Sequence, residues 1–73
     1  MQRGTISKIV GQKGFGFIKP NMPKTGEGEV FFHVSAVVGP VGFDAMTDGK
    51  LVEFDIGRAP DGRTRATVVR VID

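Results

Sequence analysis

The amino-acid sequence predicts an all-β fold, a small closed or nearly closed β-barrel, on three observations. Isoleucine and valine together number 15 against a single leucine, and β-branched side chains suit a pleated strand better than a helix. Turn residues divide the chain into short apolar stretches, and no window of about 11 residues has helical periodicity. Because the chain has 73 residues, we expect one domain spanning 1–73, with a sheet that closes to avoid exposed edges.

Five strands are expected between the turn residues. Gly11 ends the first apolar stretch and Pro20 ends the second. Asp61 and Gly62 indicate a hairpin turn before the fifth strand, and residues 35–38 are expected to form one short helical turn. The expected strands are residues 4–10, 14–19, 29–35, 50–56 and 64–72.

The residue types present argue against an enzyme, a cofactor site and a metal site. The chain contains no cysteine and one histidine, His33, and no metal-ligand spacing recurs in the sequence. A contact between His33 and Ser35 is expected if both lie on one strand face, but the sequence identifies no third group that would complete a catalytic triad. We therefore expect no catalysis, no cofactor and no small-molecule substrate.

The hydrophobic pattern also argues against a membrane partner. No apolar run approaches the roughly 20 residues of a membrane span. The N-terminal residues lack the apolar core of a secretion signal. The expected location is the cytoplasm.

The segment from Lys13 to Ile18 alternates phenylalanines with glycines. Neighbouring side chains of a strand point to opposite faces, so Phe15 and Phe17 are expected on one face together with Lys13. The alternative is that both rings fill the core, where phenylalanine is more often found. The glycines favour the outward position, because glycine on the inner face permits tight curvature and leaves Ile18 to pack.

The segment from Val30 to Ser35 repeats this alternation. Val30 and Phe32 are expected in the core, with Phe31 and His33 on the outer face. If the second and third strands are antiparallel neighbours, these two rings join the two outward phenylalanines of the preceding motif. Bases stack on aromatic faces with little dependence on sequence, so a patch of four exposed rings predicts contact with single-stranded nucleic acid.

The charges are distributed unevenly along the chain, although the net charge is only +2. Residues 1–24 carry a charge of +5, residues 25–61 carry −5 and residues 62–73 carry +2. The basic first third contains the first aromatic motif, and cations beside exposed rings are expected of a single-strand site. We expect Lys8 and Lys13 to contact phosphates or base edges.

The sequences Lys-Gly-Phe-Gly-Phe-Ile at 13–18 and Val-Phe-Phe-His-Val-Ser at 30–35 together resemble the two ribonucleoprotein motifs of the cold-shock domain family. The resemblance extends over nearly the whole chain. It implies a five-stranded antiparallel oligonucleotide-binding barrel (OB-fold) that binds single-stranded RNA and DNA, often as an RNA chaperone. It also implies that Phe43, in a long loop, folds over the rings and stacks on a base. The alternative for Phe43 is a loop anchor packed on the barrel rim.

The chain departs from the family pattern at three places. Lys8 and Ile9 stand where many members have Trp-Phe, which implies the loss of two stacking rings and the gain of a cation. Val34 takes a position that is often aromatic, and Asp61 stands where some members carry a basic residue. The smaller number of rings implies weaker or differently balanced binding, with more weight on phosphate contacts.

The expected function is the binding of single-stranded RNA or DNA, as an RNA chaperone or a regulator of transcription or translation, with a monomer favoured. The alternative is a protein-interaction module on the same barrel, in which the aromatic patch binds a partner protein or a second copy of the chain. The expected nucleic-acid-binding residues are Lys8, Lys13, Phe15, Phe17, Phe31, His33 and Phe43.

Overall fold

Five strands and three short 3-10 turns make up the computed structural model, which describes residues 1–21 and 28–72. Each predicted strand is found within two residues of its predicted bounds. In the described part of the chain, no helix has the length and hydropathy needed to cross a membrane. The strands are β1 (Gln2–Val10), β2 (Phe15–Pro20), β3 (Val30–His33), β4 (Leu51–Arg58) and β5 (Thr64–Val71), and the turns are Gly11–Lys13, Val34–Ala36 and Phe43–Ala45.

The strands close into a barrel in the order β1-β2-β3-β5-β4. The predicted all-β, five-stranded OB-type barrel is therefore confirmed, with one difference in strand direction. Four of the pairings are antiparallel, and β3 pairs with β5 in parallel. A ring of five strands cannot alternate in direction all the way round, because five is an odd number, so at least one pairing must be parallel.

The start and end of β2 differ slightly from the prediction. Gly14 has φ +72° and caps the 3-10 turn that precedes the strand, a left-handed conformation that glycine adopts without a steric penalty. The strand therefore begins at Phe15. Pro20 is the last residue of the strand rather than the residue that stops it, and it is paired with Gly4 of β1. The predicted helical turn after β3 is found at Val34–Ala36.

The core fills the inside of the barrel with apolar side chains from all five strands. Phe32 of β3 and Phe54 of β4 are its largest fully buried members, and Ile18 and Val52 are also fully buried. Val30 and Phe32 lie inside, as predicted from the alternation of β3. The remaining buried core residues are Ile6, Phe43, Met46, Ala66, Val69 and Val71.

A tight hairpin turn joins β4 to β5 at the predicted place. The N–H of Ala59 donates to the carbonyl oxygen of Arg63 at 2.8 Å, and the N–H of Gly62 donates to the carbonyl oxygen of Ala59 at 2.9 Å. Gly62 has φ +88°, so the turn needs a glycine at this position. The turn fixes where the side chains of Asp61 and Arg63 leave the barrel.

Candidate nucleic-acid interface

Four rings from β2 and β3 form one surface on the outside of the barrel, which we call the aromatic surface: Phe15, Phe17, Phe31 and His33. In the antiparallel register, Phe15 is the partner of His33 and Phe17 is the partner of Phe31. Directly opposed residues of an antiparallel pair project on the same face. The predicted clustering of these four rings is therefore confirmed.

The three phenylalanines of the aromatic surface contact one another and remain partly exposed. The ring centroids of Phe15 and Phe31 are 5.4 Å apart, with the planes tilted by 35°. Phe17 lies edge-on to both, at 5.9 Å from Phe15 and 5.9 Å from Phe31. These distances are typical of favourable aromatic pairs. The rings thus support one another while leaving apolar area open to solvent.

Glycine between the two β2 phenylalanines allows this arrangement. Gly16 is buried on the inner face, opposite Ile9 of β1 and Phe32 of β3 in the two strand registers. A side chain at this position would collide with the β1 backbone and the Phe32 ring. The predicted position of a glycine on the crowded inner face is confirmed at this residue.

A β-bulge at Ser7 brings Lys8 to the aromatic surface. The register of β1 on β2 shifts between Ile6 and Lys8, so that Lys8 becomes the partner of Phe17. The Ser7 hydroxyl donates to the carbonyl oxygen of Phe17 at 3.2 Å. An extra residue in one strand moves the following side chains to the opposite face. Lys8 is therefore exposed, whereas Ile9 turns inward against the core.

The position of Ile9 corrects one expectation. The family pattern implied that the exchange of Trp-Phe for Lys8 and Ile9 removes two stacking rings. Ile9 packs against the core, because the bulge directs it inward. The exchange therefore replaces one surface ring, at Lys8, and one inner side chain.

Lys13 is exposed but does not belong to β2. It is the last residue of the 3-10 turn Gly11–Lys13, and Gly14 separates it from the strand. The strand alternation that grouped Lys13 with Phe15 and Phe17 therefore does not apply. It precedes the aromatic surface in sequence, two residues before Phe15.

His33 contacts Ser35, as expected, but through the 3-10 turn that follows β3 rather than on one strand face, because Ser35 lies in that turn. The backbone N–H of Ser35 donates to His33 Nδ1 at 3.1 Å, and the Ser35 hydroxyl oxygen lies 3.0 Å from the same nitrogen. A backbone N–H can only donate, so Nδ1 accepts, and the neutral ring carries its hydrogen on Nε2. His33 thus presents an N–H donor as well as a ring face, and it is exposed.

Phe43 lies in the core, which corrects the prediction that it stacks on a base. Its exposure is 9%, and its ring centroid lies 6.1 Å from that of Phe32 in an edge-on contact. The 3-10 turn Phe43–Ala45 directs the side chain inward. The alternative, a loop residue that anchors the loop on the barrel, describes its position.

A groove separates the aromatic surface from the β4–β5 hairpin. It has a volume of about 420 Å³, and Phe17 and Phe31 are among the residues that line it. The hairpin was predicted as a turn, but its side chains were not assigned to the site. The signal available in the sequence was the +2 charge of residues 62–73 next to the Asp61–Gly62 turn. The hairpin residues that line the groove are Ala59, Asp61, Arg63, Thr64 and Arg65.

The described residues also include no group of three His, Asp or Glu side chains arranged to hold a metal ion. The arrangement of the site is instead one of ring faces, N–H donors and cations. Such groups can stack on bases and contact phosphates without covalent chemistry.

Comparison with known proteins points to one family. The model of the "'Cold-shock' DNA-binding domain" matches residues 2–72. The probable cold shock protein A of Mycolicibacterium smegmatis is 39% identical over 72 residues, which cover 99% of this chain and 100% of that protein. Cold shock protein CspA of Staphylococcus aureus is 35% identical over 71 residues, which cover 97% of this chain and 100% of that protein.

A plant protein is similar over part of its length. Glycine-rich protein 2 of Nicotiana sylvestris is 39% identical over 67 residues, which cover 92% of this chain and 29% of that protein. The similarity therefore covers nearly all of this chain but less than a third of that protein. Together with the closed five-stranded barrel, these matches show that the chain belongs to the cold-shock DNA-binding domain family, which supports a nucleic-acid-binding role.

Proposed function

We propose that this chain acts as one domain over residues 1–73, as a cytoplasmic monomer, and binds single-stranded RNA or DNA with loose sequence preference. Bases stack on Phe15, Phe17, Phe31 and His33, while Lys8 and Lys13 contact phosphates or base edges. The family supports nucleic-acid binding in general. The single-strand preference and the stacking residues are our own inference.

The observation that carries the proposal is the exposed aromatic surface. Three phenylalanine rings within 6 Å of one another stay partly open to solvent, although a soluble protein rarely exposes such a cluster without a use. Paired bases cover one another's faces in a duplex, so a stacking surface favours unpaired bases. Each stacked base contributes about 1–3 kcal/mol, and Lys8 adds a cation beside Phe17.

A protein that stacks on unpaired bases with little sequence preference also opposes base pairing. Each molecule that binds a single strand removes that strand from the folding equilibrium of the RNA, by mass action. We therefore propose an RNA-chaperone activity, with effects on transcription or translation that follow from keeping strands open. Catalysis is not part of this function.

A titration of labelled oligonucleotides tests the proposal directly. A uracil-rich single strand, the matching thymine-rich strand and a duplex of equal length are titrated with the protein at several salt concentrations. We expect both single strands to bind more tightly than the duplex. Equal affinity for the duplex would contradict the single-strand proposal. A dimer that forms at micromolar concentration without any oligonucleotide affinity would instead favour the protein-interaction alternative.

Substitution of one ring tests the stacking role. Phe15→Ala is expected to weaken binding by roughly 5- to 150-fold, the equivalent of about 1–3 kcal/mol for one stacked base. Its free energy of unfolding should fall by only about 1 kcal/mol, because Phe15 is partly exposed and loses mainly its ring contacts. Affinity is measured by fluorescence anisotropy and stability by urea denaturation.

Two further variants serve as controls for Phe15→Ala. Val38→Ala also shortens an exposed apolar side chain, but outside the aromatic surface, and should leave affinity unchanged. Phe54→Ala removes a fully buried ring and should destabilise the protein by about 3–5 kcal/mol. A Phe15 variant that loses as much stability as the Phe54 variant while binding normally would contradict the stacking role.

A further inference from the structure

An ion pair lies at the hairpin side of the groove. The Nε atom of Arg63 is 3.6 Å from Oδ2 of Asp61, and the two side chains are 88% and 59% exposed. The other carboxylate oxygen, Oδ1, accepts a hydrogen bond from the backbone N–H of Arg63 at 3.0 Å. The Asp61 carboxylate therefore accepts a hydrogen bond within the turn and also pairs with the positive charge of Arg63.

The groove connects this ion pair to the aromatic surface. Phe17 and Phe31 line the groove together with Asp61, Arg63 and Arg65. Because both sets of residues line the same groove, a strand with bases stacked on either ring can place its phosphates beside the hairpin side chains. Arg63 offers a planar guanidinium that suits a phosphate, whereas Asp61 offers a negative charge that repels one.

We propose that Asp61 competes with the phosphates of a bound strand for Arg63, and so limits the affinity of the groove for nucleic acid. This inference rests on the proposed single-strand binding and names an ion pair of this chain that limits it. In the free protein, Arg63 pairs with Asp61. In the complex, Arg63 turns to a phosphate while Asp61 keeps its hydrogen bond to the Arg63 backbone.

The energetics allow the exchange. An exposed ion pair contributes at most about 1 kcal/mol, so a phosphate can displace the carboxylate readily. The remaining carboxylate still opposes binding, since it stays in the groove beside the incoming phosphate. Removal of its charge should therefore strengthen binding through both effects, the freed Arg63 and the lost repulsion.

The primary variant is Asp61→Asn, because an asparagine oxygen can still accept the hydrogen bond from the Arg63 backbone. We expect this variant to bind a uracil-rich single strand about 2- to 5-fold more tightly than the unchanged protein at low salt. The gain should shrink as salt is added. The matched control is Asp55→Asn, which removes the same charge from an exposed position on β4, a strand that pairs with neither β2 nor β3.

A second variant is needed because the Asn-Gly sequence that Asp61→Asn creates readily deamidates, which would regenerate an acidic residue. The mass of the Asp61→Asn protein is therefore checked after each titration. Asp61→Ser also removes the charge, keeps a weaker oxygen acceptor in the turn and contains no Asn-Gly sequence. Thermal unfolding of each variant verifies that it is folded.

A double-mutant cycle with Arg63→Gln separates exchange from simple repulsion. If Asp61 occupies Arg63, the Arg63→Gln substitution should weaken binding little in the unchanged protein and several-fold more in the Asp61→Asn background. Additive effects of the two substitutions would contradict the exchange.

Three other results have distinct meanings. A gain for Asp61→Asn that equals the gain for Asp55→Asn would show only a general charge effect and would overturn the proposal. Weaker binding of Asp61→Asn would overturn it as well, because Asp61 would then orient Arg63 toward the strand. Failure of the unchanged protein to bind single strands would refute the proposed function itself. The titration of the unchanged protein alone detects that failure.

Discussion

At the scale of single residues, Gly16 links the inside of the barrel to the aromatic surface. A Cβ atom built on it would lie 2.7 Å from the backbone oxygen of Lys8, 2.8 Å from a ring carbon of Phe32 and 2.9 Å from the end of the Ile9 side chain. The backbone oxygen belongs to the β1–β2 ladder and cannot move alone. The lack of a side chain therefore sets how closely β1 and the core approach β2 between the exposed rings.

Gly16→Ala is expected to lower the free energy of unfolding by about 1–3 kcal/mol, the usual cost of overpacking. Gly11→Ala is the control, because Gly11 has open space around the same built atom and a negative φ. There the extra methyl group should leave stability unchanged or raise it by up to about 1 kcal/mol, because alanine lowers the conformational entropy of the unfolded chain. Urea denaturation measures both variants. Equal stabilities for the two would show that the barrel relaxes around Gly16 without cost.

At the scale of single residues, some features of the site could be predicted from the sequence and others could not. The outward direction of Phe15 and Phe17 was predicted correctly, because alternation in a strand depends only on position along the chain. The burial of Phe43 was not, because a loop has no such period and its ring packs where Phe32 leaves room in the core. Ile9 was misjudged because the bulge at Ser7 interrupts the period.

At the scale of elements, closure of the barrel depends on its parallel β3–β5 contact. The β4–β5 ladder joins seven residue pairs, whereas β3 and β5 share the single pair Phe32–Ala66. Beyond β3, the N–H of Val38 donates to the carbonyl oxygen of Val69 at 2.9 Å. Strand positions could be predicted from turn residues, but this pairing could not, because it joins segments far apart in sequence.

Native-state hydrogen exchange should detect the weaker side of the barrel. The Val38 amide, which closes the β3–β5 side, is expected to exchange by local opening, faster than the rate set by global unfolding. The Ile6 amide is the comparison, since it also donates over 2.9 Å, to the carbonyl oxygen of Lys50, but between the well-paired β1 and the segment before β4. Identical opening free energies for the two amides would mean that the barrel opens only as a whole.

At the scale of the whole molecule, the barrel places acidic side chains on a different strand from the basic side chain beside the rings. The Cα radius of gyration is 11.1 Å, about the value for a folded chain of this length. Glu53 and Asp55 lie on β4, which has no contact in the ladder with β2 or β3, whereas Lys8 is beside Phe17. Screening at physiological salt acts over about 8 Å. Acids on β4 should therefore oppose binding only at low salt, and there by less than Asp61, which lines the groove.

Salt dependence is expected to report the few cations near the rings. Lys8→Gln should make the slope of log affinity against log salt shallower by about 0.7, the change for one phosphate contact on a single strand. Arg70→Gln is the control, because Arg70 is exposed on β5 and is the strand partner of Glu53. Titrations at several salt concentrations measure both slopes. A slope that Arg70→Gln alters as much as Lys8→Gln would show that only total charge matters.

The bulge at Ser7 has a consequence for how β1 can change in length. Everything after Ser7 in this strand depends on one extra residue for its direction: Lys8 outward and Ile9 inward. Loss of that residue would exchange the two, placing an ammonium group in the core and an aliphatic side chain beside the Phe17 ring. Replacement of Ser7 by another residue would remove one hydrogen bond. Its deletion would instead reverse the directions of the Lys8 and Ile9 side chains. We therefore expect β1 to accept substitutions at this position and to reject insertions and deletions.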